Sequence, residues 1–240
     1  MLKALLLDLD ETLCDTTGAN RQALAAMAER ACDQFVSLDA ALFSQRYLSG
    51  IYRDFDAAQS VRYLPVVDEA AFRVRLIRDL LDEQGGACAE AEAEGLQRCF
   101  DEARQACFNF FPGIKAKLIE WRQRYTLVVI TNGPEFSQLA KVAAVSLGDY
   151  VDHIIIGGQE PEQKPAPSIF AKALRLANCS ADEAIHIGDS LAADIQGAND
   201  SGIRSLWVSH GTGNDSGVMP SDVVASPAEL IAFVDALAEQ

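Results

Sequence analysis

Three carboxylates stand directly behind an apolar run near the start of the chain. In KALLLDLDETL the run Ala4, Leu5, Leu6, Leu7 has the length and composition of a fully buried strand, and Asp8, Asp10 and Glu11 follow at once. Isolated carboxylates are costly to desolvate, so these should be paired, bound to a cation, or held at a sheet edge where chemistry takes place. Two later apolar runs end in polar punctuation as well. LVVITNG closes on Thr131, Asn132 and Gly133, and AIHIGDS closes on Gly188, Asp189 and Ser190. Lys164 lies ahead of two prolines in EQKPAPSIF, and the prolines stiffen its loop. Taken singly, TNG or GDS is an ordinary turn and a lone lysine is a surface charge. The ordered set is what points to a site. Glu11 reads as a turn residue, and Thr12 as a hydroxyl that braces the loop.

These residues need elements to carry them. From Asp15 to about Cys107 there is no convincing strand, and apolar residues recur at helical spacing, as in Phe72, Leu76, Leu80 and Leu81. After Phe111, Pro112 and Gly113 the texture alternates. The pattern predicts helices over 114–124, 167–177, 191–201 and 227–237, interleaved with strands in TLVVIT, HIII, AIHI and RSLWVS. Such alternation predicts an α/β fold, a Rossmann-like parallel sheet with helices on both faces. The opening strand belongs to that sheet, so the helical block is an insertion. Residues 1–14 and 108–240 form the expected core and 15–107 the expected helical insert. In an open parallel sheet ligands bind beyond the carboxyl ends of the strands, where the three polar endings would converge.

Composition narrows the chemistry further. The 240 residues are 49% hydrophobic, enough for a packed interior, and carry a formal charge of −15. Broad contact with nucleic acid or an anionic membrane needs a basic face, so neither is an expected partner. An anionic ligand must be attracted locally. The cysteines at 14, 32, 88, 99, 107 and 179 form no CxxC pair, which fits a reducing compartment. No run is long enough for a membrane helix, and Asp8 interrupts the first one, so the expected location is the cytoplasm. His186 reads as a core residue inside a strand and His153 as a strand-end residue. Neither has a second histidine or cysteine at metal-binding spacing. His210, in SHGTGN, reads as a loop residue, and GTGN lacks the lysine of a phosphate-binding loop.

Four motifs in order resemble the haloacid dehalogenase-like hydrolase superfamily: DLDET at 8–12, the apolar run into Thr131, Lys164 with Pro165, and GDSLAAD at 188–194. Within it, TTGANR, GGQEPEQKPAPSIF and GDSLAADIQGA look most like the N-acylneuraminate-9-phosphatase branch, and the insert resembles the C1 cap of subfamily I. The resemblance implies a magnesium-dependent phosphatase acting on a small phosphorylated metabolite, as a monomer or homodimer. Asp8 would be the nucleophile that forms an aspartyl-phosphate. Asp10 would be the acid and base, with its backbone carbonyl on the metal. Asp8 and Asp189 would hold Mg2+ directly, with Asp194 at a weaker metal position or behind it. Lys164 would offset charge as the phosphoryl group transfers. The Thr131 hydroxyl and the amides near Asn132 and Gly133 would hold phosphate oxygens. In the cap, Asn20 and Arg21 would select the leaving group; Arg46 and Arg53 read as solvated surface charges first, with recognition of a carboxylate or hydroxyl-rich substrate as the alternative. Two related activities share the core: a phosphomutase, which depends on cap residues, and a 2-haloacid dehalogenase, which lacks the second aspartate present here as Asp10.

Overall fold

The computed structural model describes residues 1–237. In chain order the elements are β1 (Ala4–Leu7), α1 (Thr16–Gln34), α2 (Ala40–Ile51), α3 (Ala57–Tyr63), α4 (Glu69–Asp82), α5 (Glu90–Cys107), α6 (Ile114–Trp121), β2 (Thr126–Thr131), α7 (Glu135–Ala144), β3 (His153–Ile156), α8 (Pro167–Ala177), β4 (Ala184–Gly188), α9 (Gln196–Asp200), β5 (Arg204–Val208), β6 (Asp222–Val224) and α10 (Pro227–Leu237). They fall into two compact units, Met1–Thr16 with Phe108–Gln240, and Thr17–Cys107.

The first unit is built on one parallel sheet of order β3-β2-β1-β4-β5-β6. The Rossmann-like α/β architecture read from the alternation is therefore the one found. The chain winds outward from β1 through β2 to β3, then returns to the other side of β1 as β4, so the strand order reverses between β1 and β4. Ligand crevices of doubly wound sheets form at such a point. β1 is flanked on both sides, pairing Leu7 with Val129 of β2 and with Ile187 of β4. That register is why its four residues are apolar without alternation and fully buried. Each buried leucine contributes about 1.5–3 kcal/mol relative to exposure. One face of the sheet packs Leu6, Val128 and Ile130 with Ile169, Phe170 and Ala173 of α8.

Two details depart from the sequence reading. The helix expected over 191–201 begins as a π-helical turn, Leu191–Ile195, before α9. An edge strand, β6, was not foreseen: three residues behind a glycine- and proline-bearing loop are too short for a periodic signal.

In the second unit α1 to α5 surround an aromatic core in which Phe43, Tyr47 and Phe100 are fully buried, with Tyr47 edge-on to Phe100 at 5.1 Å. Asp39 caps α2 by accepting from the Ala41 and Leu42 amides, and Asp56 and Gln59 cap α3 reciprocally.

Candidate active site

The end of β1 brings Asp8 beside the end of β4, its amide donating to the Ile187 carbonyl at 2.9 Å. Asp8 is buried, and carboxylate oxygens of Asp8, Asp189 and Asp194 lie within 4.8 Å of one another. Asp194 reaches the strand because residue 188 is glycine: a Cβ there would overlap the Asp194 carboxylate. The π-helical turn carries Asp194 back so that its Oδ2 accepts from the Ser190 amide at 3.0 Å.

Lys164 sits between these acids. Its buried ammonium donates to Asp8 Oδ1 at 2.5 Å, to Asp194 Oδ1 at 2.7 Å and to the Ile130 carbonyl at 2.7 Å, so all three N–H groups are used. Its position is set by Asn132, whose amide donates to the Lys164 carbonyl at 2.8 Å and accepts from the Lys164 amide at 3.0 Å. Burial would lower the Lys164 pKa, but Asp194 and Asp8 outweigh it and hold the ammonium above its usual value. The same lysine, with the His186 ring, overcomes the burial of Asp194 and keeps that carboxyl well below the usual range. Burial, with Asp194 and Asp189 adding to it, drives Asp8 upward against Lys164. Asp189 is pushed up to about 7, by burial first and by Asp194 second. Among the described residues Asp189 makes no ion pair.

His186 lies in β4 as read from sequence, but it also touches this cluster, with Nε2 3.0 Å from Asp194 Oδ1. Its pKa is lowered, by burial first, against the neighbouring Asp194. Thr131 is fully buried, and its hydroxyl donates to Gln138 at 3.0 Å. The Gly133 amide donates to Gln163 at 2.9 Å, with a positive φ of 121° that suits glycine.

A family model described as "haloacid dehalogenase-like hydrolase" matches residues 2–202. The chain belongs to the haloacid dehalogenase-like hydrolase family. It is 28% identical over 241 residues to the N-acylneuraminate-9-phosphatase of Rattus norvegicus, covering 98% of this chain and 95% of that protein. It is 31% identical over 242 residues to a phosphoserine phosphatase of Thermus thermophilus, covering 94% of each. Among solved structures it resembles the HAD-hydrolase YfnB of Bacillus subtilis bound to magnesium, with a TM-score of 0.74, 23% identity, and coverage of 98% of this chain and 99% of that one. Within the family this chain stands with the phosphatases.

Of the residues singled out in this HAD-like chain, Asp8, Lys164, Asp189 and Asp194 come together, with Thr131, Asn132 and Gly133 on the neighbouring β2 ending. The Asp10 carboxylate is outside the acidic trio: it accepts from Lys141 Nζ at 2.7 and 2.8 Å and from the Thr16 hydroxyl. Asn20 and Arg21 lie on α1 in the helical unit. Asn20 is buried, its amide donating to the Tyr52 hydroxyl at 2.9 Å, while its Oδ1 has no hydrogen-bond partner among the described residues; Arg21 is exposed. Arg46 pairs with Glu83 at 2.7 Å on the surface. Arg53, read as a solvated charge, is instead held by Glu69 and the Gly50 and Ile51 carbonyls, with its guanidinium 4.3 Å from the Phe72 ring centroid. His210 Nε2 lies 2.6 Å from the Glu11 carbonyl, bracing the loop behind Asp10. The sequence reading missed Lys141. No local pattern marks it: only in the structure are Ser137, Gln138 and Lys141 buried polar residues on the face of α7 that carries Gln138 to Thr131.

Proposed function

We propose that this phosphatase is a magnesium-dependent phosphomonoester hydrolase that works through an aspartyl-phosphate on Asp8. Its substrate in this reading is a small phosphorylated metabolite, a sugar phosphate or sugar-acid phosphate, consistent with the activity named for its neuraminate phosphatase relative. One observation carries the reading: an ammonium lodged between Asp8 and Asp194, beside an unpaired Asp189, at the point where the strand order reverses.

The donor set fits magnesium. Mg2+ takes hard oxygen ligands, and Asp8, Asp189 and Asp194 offer three carboxylates close enough for two or more to share one ion. The raised Asp189 is the group that such an ion would relieve, and the Bacillus protein that shares this fold is bound to magnesium. When bound, the ion would neutralise phosphate charge and lessen its repulsion from Asp8.

This chain's own groups do the rest. A carboxylate oxygen of Asp8 bonds to phosphorus, the bond from phosphorus to the ester oxygen breaks, and a proton passes from Asp10 to that oxygen. Water then bonds to phosphorus and gives its proton to Asp10, while the bond from phosphorus to Asp8 breaks. Lys164, held by the Ile130 carbonyl and by the Asp8 and Asp194 carboxylates, places a fixed positive charge beside the nucleophile as negative charge develops. Asn132 fixes the Lys164 backbone, and Thr131 and Gly133 exchange their present partners for phosphate oxygens. In this reading Asn20 and Arg21 select the leaving group. The reaction takes place in the cytoplasm, where the six free cysteines would stay reduced.

The test is phosphate release from a panel of sugar, sugar-acid and hydroxy-acid phosphates, with and without magnesium. Asp8→Asn should remove turnover by several orders of magnitude, and Asp10→Asn should cost about 10²–10⁴-fold. Turnover retained by Asp8→Asn would refute the covalent route. Asn20→Ala and Arg21→Ala should lose activity on the preferred substrate while keeping it on p-nitrophenyl phosphate.

A further inference from the structure

Lys141 is a second buried lysine at the sheet edge, and it shares no carboxylate with Lys164. It projects from α7 with 9% of its side chain exposed, against 26% for Asp10. Its ammonium lies 5.8 Å from the centroid of the buried Phe108 ring. A buried ammonium is costly unless its charge is answered, and Asp10 answers it with both oxygens. Thr16 donates to Oδ1 as well, leaving Oδ1 with two protein donors and Oδ2 with one.

That arrangement fixes a side chain that would otherwise turn. A carboxyl group at the end of a strand has two torsions of its own, and proton transfer in a transition state requires donor and acceptor on one line. An error of about 1 Å in such a group can cost ~10²-fold. Resting on the phosphatase reading above, we propose that Lys141 is a positioning residue for the proton transfers of Asp10. Oδ2, the oxygen with a single donor, carries the proton to the ester oxygen and regains one from water. Lys141 and Thr16 keep hold of Oδ1 through both halves of the cycle, so the plane of the carboxyl group does not swing between them. Lys164 cannot replace Lys141, because its three N–H groups are committed elsewhere.

A misplaced acid matters in proportion to how much the leaving oxygen needs a proton. The experiment therefore compares two aryl esters of similar size, phenyl phosphate, whose phenolate is strongly basic, and p-nitrophenyl phosphate, whose leaving group departs with little help. With saturating magnesium, Lys141→Met should lower kcat/KM on phenyl phosphate about tenfold or more beyond its effect on p-nitrophenyl phosphate. Lys141→Arg, which can still donate to both oxygens, should recover most of the difference. Equal losses on the two esters, as a purely structural role would produce, or no loss on either, would overturn the proposal. Should Lys141→Met fail to fold, Lys141→Gln carries the same comparison, and parallel losses there would overturn it equally. Absence of magnesium-dependent hydrolysis of both esters by the wild-type enzyme would overturn the phosphatase reading itself, and this proposal with it.

Discussion

A carboxyl group without a counter-ion reports on its surroundings through its titration, and Asp189 is such a group. Burial and Asp194 raise its folded-state pKa to about 7, against an ordinary value of about 4. The neutral form is therefore favoured by folding, and its contribution to stability is complete below about 4 and lost as pH rises through about 7. In chelator, Asp189→Asn should gain thermal stability relative to wild type across that window; melting curves that keep a constant offset from pH 4 to 8 would count against the assignment. With magnesium the order should reverse, because the ion needs the ionised carboxylate and releases a proton on binding. Added magnesium should raise the wild-type melting temperature more at pH 8 than at pH 6, and the variant's much less. Asp8, Lys164 and Asp189 could be found from sequence because each stands where an apolar run stops or a stiffened loop begins, whereas Asp194 is reached only through the resemblance of GDSLAAD to the family motif. Lys141 could not be found that way. A lysine in an amphipathic helix has the local pattern of a solvated one, and only tertiary packing shows that its partner is Asp10.

At the scale of elements, the site depends on how closely β4 and the turn after it approach. Gly188 lets the Asp194 carboxylate lie against the strand, and a methyl group there must displace it. Gly188→Ala should cost about 1–3 kcal/mol, measured by denaturant unfolding, and should lower turnover by more than the stability loss explains. Unchanged turnover in a folded variant would mean that Asp194 need not sit where it does. The strands and the helix α8 followed from the alternation of apolar runs with helical spacing; in the sheet each successive pair of strands lies side by side except β3 and β4, where the chain crosses to the other side of β1. The π-helical turn was not foreseeable. Within it the Ser190 hydroxyl accepts from the Ala193 amide and Asp194 Oδ2 from the Ser190 amide, while Asp194 Oδ1 meets the buried lysine, a set of contacts that sequence spacing does not reveal.

At the scale of the whole molecule, a formal charge of −15 repels the very dianion the site would bind. Screening this field should help, since the Debye length falls to about 8 Å at physiological ionic strength. We expect kcat/KM for a phosphate dianion to rise severalfold between about 10 and 150 mM sodium chloride at fixed magnesium, in steady-state assays; a fall over that range would mean that local attraction dominates from the start. The charge also bears on the two chain segments that leave the sheet for the helical unit. They run side by side as a short ribbon: Cys14 bridges Phe110 antiparallel, the Asp15 amide donates to Asn109 and the Phe111 amide to Leu13. An insert whose two ends are already clasped costs little chain entropy to accommodate, whatever its length, because loop closure grows only slowly with the number of residues enclosed. In evolutionary terms the ribbon is a socket. If the helical unit selects the leaving group as proposed, sequence between Thr17 and Cys107 should be open to lengthening, shortening or exchange while Asp8, Lys164 and Asp189 keep their places, so that new substrates are acquired without relearning the chemistry.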